Sequence, residues 1–344
     1  SHGAELWRFL AAPEERQVGA FGQLESAWPV HGTVLVQNDV TVNPPRTLVY
    51  FSAGRSTFLD GGMYFYALDP QTGDVRYRNH LAGPKPDPFK DKGDAGYMDG
   101  AKSDILVSDG ADLFLHQERF RSDLKRLPSP LENLGPESGG YREYPAHPER
   151  GSNAMRLLSS RGFLDDSYNE GTYWAFSQRW PGWDRKMRKI AALGQLLAFD
   201  EQTVFGVNVF SGSVGVRRGF FPDTKGYRVF AKPYEPGKSE DEFKKTKDAW
   251  SVYIPVRVRA MVLAGDKLFV AGPPDVIPAD DPTAAFEGRR GGDLWAVSAK
   301  TGKKIAEIYH TDAPPVYDAL IAAEGSLYLS TTDGTIHCFG ANDQ

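Results

Sequence analysis

Polar side chains gather in a few short stretches that lead into apolar runs, and these are the places where chemistry could be done. They read "QLESAWP" with Gln23, Glu25 and Trp28; "YMDGAKSD" with Asp99, Lys102 and Asp104; and "FLDDSYNEGTYW" with Asp165, Asp166, Tyr168 and Trp174. Two more are "PVRVRA" with Arg257 and Arg259, and "PVYDAL" with Tyr317 and Asp318. Carboxylates, arginines and aromatics together suit a polyhydroxylated ligand, which would stack on Trp28 or Trp174 and hydrogen-bond to the acids. The same hard oxygens could hold a calcium ion. Acids in β loops also cap the amides of their own turn or simply face water, so a purely structural use stands beside both readings. Asp165 and Asp166 are adjacent, so on a strand only one of them would face a pocket. An acid–base pair would need Glu25, Asp99 or Asp318 as its second member, and their separation would decide any hydrolase chemistry.

Other reactive residue types carry less. The 7 histidines show no HxH or HExxH spacing, and His80 and His310 sit at matching places in two similar phrases, which suggests a repeated structural position. "GRSTFLDGG" lacks the Lys-Ser/Thr of a phosphate loop and runs into a strand, so it reads as a turn in which Arg55 and Asp60 could pair. "RWPGWDRKMRK", from Arg179 to Lys189, could grip a glycan or an anionic partner, but a loop packed on a sheet edge explains it as well.

The elements that would position these residues are strands. "GGMYFYALDPQTGDVRYRNHL" from Gly61 and "GGDLWAVSAKTGKKIAEIYHT" from Gly291 each read as two strands around a Thr-Gly turn. Two further strand signals precede each phrase: "HGTVLVQN" with "RTLVYFSAG", and "VRAMVLAGDKLFVAGPP". Partial copies follow in "KSDILVSDGADLFLHQERF", "GQLLAFDEQTVFGVNVF" and "YDALIAAEGSLYLSTTDGTIHCFG". Recurrence every 40 to 55 residues or so, in units of four antiparallel strands, predicts an all-β fold of the β-propeller kind, with about six blades in a range of five to eight. One domain spanning 1–344 is expected, with surface insertions near 128–150 and 235–249. "KSEDEFKKTKDAW" has enough charge to read as a solvated excursion rather than a packed helix. The last unit reaches only three strands, so the N-terminal "AELWRFLAA" is expected to supply the fourth and close a ring. The polar lead-in stretches would then converge at the axial mouth.

"YALDPQTGDV" and "WAVSAKTGKKI" resemble the "YALDxxTGxxxW" repeat of the PQQ-binding-like β-propellers, which span quinoprotein alcohol dehydrogenases and an outer-membrane assembly lipoprotein. Stretches such as "GQLESAWPVHGTVLV" and "AMVLAGDKLFVAGPPDVI" look like uncharacterised bacterial secreted members of that group. The resemblance implies the propeller fold and a periplasmic or extracellular location. Its dehydrogenases hold pyrroloquinoline quinone between a tryptophan face and a vicinal disulfide, beside a calcium or lanthanide ion. The single Cys338 cannot form that disulfide, and Arg76 or Tyr77 and Ala306 or Glu307 stand where the repeat's closing tryptophan is expected. Both departures argue against a PQQ-dependent dehydrogenase, and no cofactor is expected.

Composition bounds the rest. In 344 residues, 40% are hydrophobic and 12% aromatic, enough for a large core. A net charge of -5 offers no basic footprint for nucleic acid, and no apolar run nears the roughly 20 residues that cross a bilayer. The favoured expectation is a non-catalytic propeller that recognises a protein or glycan on one face, alone or within a larger assembly. A carbohydrate-active lyase or hydrolase using the acids at the mouth is the alternative.

Overall fold

The computed structural model describes residues 5–20, 22–30, 34–57, 59–82, 105–108, 110–115, 118–127, 142–143, 155–159, 174–177, 179–180, 192–208 and 227–340. The chain forms two compact units: residues 1–147, 156–166 and 178–182, and residues 148–155, 167–177 and 183–344. No helix of the described residues is long and apolar enough to cross a membrane.

In the first unit, sheet A joins Leu35–Asp39, Arg46–Ala53, Met63–Leu68 and Val75–Leu81 as four antiparallel strands in chain order. Its two central strands are apolar on both faces, and their alternation sorts the side chains. Leu48, Tyr50, Met63, Phe65 and Ala67 face sheet B, which consists of Val107–Ser108, Asp112–Leu115, Glu118–Arg121 and Arg126–Leu127. Phe51, Ala53, Tyr66 and Leu68 face the other way, against Trp28, Ala11 and the half-buried Trp7 and Phe9.

Residues 5–12 therefore do not form the expected strand: they lie across the second face of sheet A. The indole of Trp7 donates to the Pro70 carbonyl (3.0 Å), and the Tyr66 hydroxyl donates to the Ala11 carbonyl (2.9 Å). Gly73, at φ +75°, lies so close beneath Trp7 that a Cβ would sit 2.7 Å from its ring.

The second unit repeats this plan. Sheet C joins Leu196–Phe199, Thr203–Asn208, Tyr227–Pro233 and Trp250–Ile254, and sheet D joins Ala260–Ala264, Lys267–Gly272, Gly292–Ser298 and Lys304–Thr311. Sheet E has three strands, Pro315–Ala323, Ser326–Thr331 and Ile336–Gly340. A pair formed by Trp174–Ser177 and Ala192–Gly194 precedes sheet C. Sheets C and D pack face to face through Phe205, Val207, Val229, Met261, Leu268 and Val270. Sheets D and E do so through Ala271, Leu294, Leu320 and Leu329. The first strands of C, D and E run side by side.

Trp250, on the fourth strand of sheet C, repeats the behaviour of Trp7. Its indole donates to the Ala299 carbonyl in the turn of sheet D (2.8 Å), and a Cβ on Gly302 would meet its ring at 2.5 Å. Trp7 and Trp250 thus each cover the glycine of a Thr-Gly turn from a segment upstream of that sheet, while Arg76, Tyr77, Ala306 and Glu307 occupy the positions after the turns. The segment read as solvated also differs: Glu240–Lys245 is a helix with a Ser239/Glu242 capping box. It is anchored by Phe243, which is buried with Phe176 and near Tyr234.

Candidate functional site

A repeated backbone device sets up each lead-in. The Pro29 carbonyl accepts from the Gly54 amide (3.0 Å), Pro255 from Asp275 (2.8 Å) and Pro314 from Thr332 (3.0 Å). In each case the chain ahead of a first strand is pinned to the end of the second. The close approach needs a glycine in sheet D, where a Cβ on Gly272 would lie 1.9 Å from the Arg257 carbonyl oxygen.

Arg259 and Asp318 lie at the same distance beyond Pro255 and Pro314, so they hold equivalent positions in sheets D and E. Gln195 is their counterpart in sheet C, because its amide donates to Val207 (2.8 Å) as the Arg259 amide donates to Ala271 (2.8 Å). The second unit joins these three positions. The Asp318 amide donates to the Arg259 carbonyl (2.9 Å), and the Tyr317 hydroxyl donates to the Gln195 carbonyl (2.5 Å).

What the side chains do there matters more than their types. Asp318 has φ +57°, a left-handed conformation that Asp tolerates better than most residues, inside a break in the pairing of its strand. Its carboxyl has no partner among the described residues, and burial alone pushes its pKa from 3.8 up to about 6. Half-buried Arg259 has no ion pair among them either. Gln195 is 3% exposed, and its amide oxygen accepts no hydrogen bond. A buried acceptor without a donor costs about 1–3 kcal/mol. Arg257 is already committed: it pairs with Asp275 (3.1 Å) and lies over Phe286 (5.5 Å).

The other expected site residues fare differently. Trp28 and Trp174 are 5% and 4% exposed, packed in the core rather than open for stacking. Gln23 and Glu25 are on the Gln17–Ala20/Gln23–Ser26 hairpin, where the Gln23 amide donates to Glu25 (2.9 Å) at the surface. Asp99, Lys102, Asp104, Asp165, Asp166 and Tyr168 lie outside the described residues. Arg55 does pair with Asp60, which Arg16 also reaches (3.1 Å). Gln195 went unrecognised because "GQLLAF" reads as a strand beginning at its own polar residue.

A recess of about 460 Å³ lies beside sheet D, lined by Pro274, Arg289, Arg290, Asp293, His310 and Asp312. Its charges largely answer one another. His310 Nδ1 meets Asp293 (2.7 Å), and Arg289 is held by Asp281 (2.7 Å) and Glu287. His80 meets the Gly61 carbonyl (2.7 Å) and stacks on Tyr64, so the two matching histidines anchor their sheets differently. Among the described residues no group of three or more His, Cys, Asp or Glu could hold a metal ion.

No family model matches the chain, and no curated protein matches it. Among solved structures it is similar to BamB from Moraxella catarrhalis, with 11% identity over 90% of this chain and 70% of that one, at a TM-score of 0.39. It is also similar to the computationally designed Ika4 protein, with 12% identity over 42% of this chain and 88% of that one, at a TM-score of 0.24.

Proposed function

We propose that the chain is a β-propeller that binds a protein or glycan partner on the face where its lead-in segments converge, without transforming it. The observation that carries this reading is the joining, through the backbone and Tyr317, of Gln195, Arg259 and Asp318, equivalent residues of successive sheets whose side chains have no partner for the Gln195 amide oxygen, the guanidinium or the carboxyl among the described residues. A protein that only needed to fold would pair or remove such groups. Face-to-face sheets with adjoining first strands support the blade arrangement.

Closure belongs to the same proposal. Residues 5–12 stand on sheet A as the Trp250 strand stands on sheet D, which is the place of a neighbouring sheet's outer strand. Among the described residues sheet E has three strands, and a fourth supplied by residues 5–12 would fit a ring of about six blades.

The perturbed Asp318 favours one second reading, a carbohydrate-active enzyme using it as an acid. Two-carboxylate chemistry needs a second acid, and among the described residues none perturbs Asp318. The binding reading is tested by presenting wild type and an Arg259→Gln/Asp318→Asn double variant to glycan and extracellular-protein libraries. The expected result is a partner retained unchanged by wild type and lost by the variant. A partner held equally by both would overturn the reading, and product release by wild type but not by Asp318→Asn would favour the enzyme.

A further inference from the structure

We propose that the recess beside sheet D binds a free α-amino acid with an apolar side chain, its carboxylate on Arg290, its ammonium on Asp312 and its side chain on Pro274 and Val276. The recess shares no residue with Gln195, Arg259 or Asp318, so this inference stands apart from the binding face.

Its walls are the ends of three strands of one sheet. Pro274 and Val276 follow the second strand of sheet D, Arg290 and Gly291 lead into the third, and His310 and Asp312 lie at the end of the fourth. Gly291 is buried at φ +60° and has no room for a side chain, since a Cβ would lie 1.9 Å from the Thr311 carbonyl oxygen. Each wall is tied back before anything binds: Pro274 bridges to Val256, the Arg289 amide donates to the Ala284 carbonyl (2.8 Å), and His310 Nδ1 meets Asp293 (2.7 Å). A space of about 460 Å³ is of small-molecule size, and fixed walls leave little to order on binding.

The charges then select the ligand. Arg289 is held by Asp281 and Glu287, and Asp293 by His310. Arg290 and Asp312 remain. Both are exposed, and among the described residues neither pairs with the other or with any other charge. Opposite charges that line one cavity without meeting suit a dipolar ligand, anion to guanidinium and cation to carboxylate. In an α-amino acid those two groups share one carbon, and the side chain beside them has Pro274 and the exposed Val276 to cover. A simple anion would be repelled by Asp312 and a metal ion by Arg290, while a neutral sugar would answer neither.

The test is calorimetric titration of the intact chain at pH 7.5 with leucine, methionine and phenylalanine, and with the N-acetyl and amide derivatives of each. We expect at least one free amino acid to bind, with a tenfold or greater loss on acetylation, which removes the ammonium, and on amidation, which removes the carboxylate. Arg290→Gln should bind as weakly as wild type binds the amide and should no longer distinguish acid from amide. Asp312→Asn should likewise cease to distinguish amine from acetamide. Both side chains are exposed, so thermal melts of the variants should match wild type. Binding of none of the three, equal binding of free and derivatised forms, or indifference to either variant overturns the inference. Phosphate that binds through Arg290 and tightens in Asp312→Asn would also overturn it, by showing a site for a simple anion.

Discussion

Replacing Asp318 by Asn should make the protein more stable, and only at neutral pH. The two residues share size and tolerance of the left-handed backbone at φ +57°, so the substitution changes little but ionisation. In the native protein burial holds the carboxyl pKa near 6, against 3.8 for the exposed group. Between those values the folded form keeps a proton that the unfolded form has lost, so raising the pH favours unfolding. The stabilisation is complete below about 3.8 and gone above about 6. Two pKa units correspond to roughly 3 kcal/mol, which is the expected advantage of Asp318→Asn at pH 7.5. For a chain of this length that is about 4 °C in melting temperature. Urea titrations at pH 7.5 and pH 4.0 would read it directly, with the advantage present at the first and absent at the second. Equal stability at pH 7.5, or an advantage that persists at pH 4.0, would refute the argument that the acid is buried without a partner.

Three further outcomes follow from the packing and pairing. Trp250→Ala removes both the bond to the Ala299 carbonyl and the cover over Gly302, and should cost about 3 kcal/mol in denaturant unfolding. Gly272→Ala drives a methyl into the Arg257 carbonyl and should lower the melting temperature by several degrees; an unchanged melt would show that the lead-in does not cross there. Arg257→Gln should destabilise by about 1 kcal/mol through loss of Asp275, whereas Arg259→Gln should stay within about 0.5 kcal/mol of wild type, since it breaks no pair.

The strands were legible because their signals are local. Alternating apolar residues around "DPQTG" and "SAKTG" require hairpins wherever the chain goes next, and the sheets form where the pattern puts them. Arg259 and Asp318 were legible too, as polar residues just ahead of apolar strands. What the sequence hid was direction and commitment. Nothing in "AWP" or "TYW" tells that Trp28 and Trp174 turn into the core, since that depends on which sheet covers each face. Arg257 and Arg259 look alike in "PVRVRA", yet Arg257 pairs with Asp275 while Arg259 has no ion pair among the described residues. The roles of Trp7 and Trp250 were hidden because the contacts join Trp7 to Pro70 and Trp250 to Ala299, partners far apart in the chain. Phe243 was missed because one buried aromatic, rather than a periodic face, anchors that short helix.

Ring closure by residues 5–12 is a proposal, and the lone cysteine offers a direct measurement of it. Cys338 is exposed on Ile336–Gly340, the strand that should receive the fourth. Single cysteines placed in turn from Leu6 to Leu10, then oxidised gently, form a disulfide only where two Cα atoms come within roughly 4.4–6.8 Å. The account predicts an intramolecular Cys338 disulfide at one or two adjacent positions of the scan, whereas a chain that stays reduced throughout, or that yields only linked dimers, would contradict it.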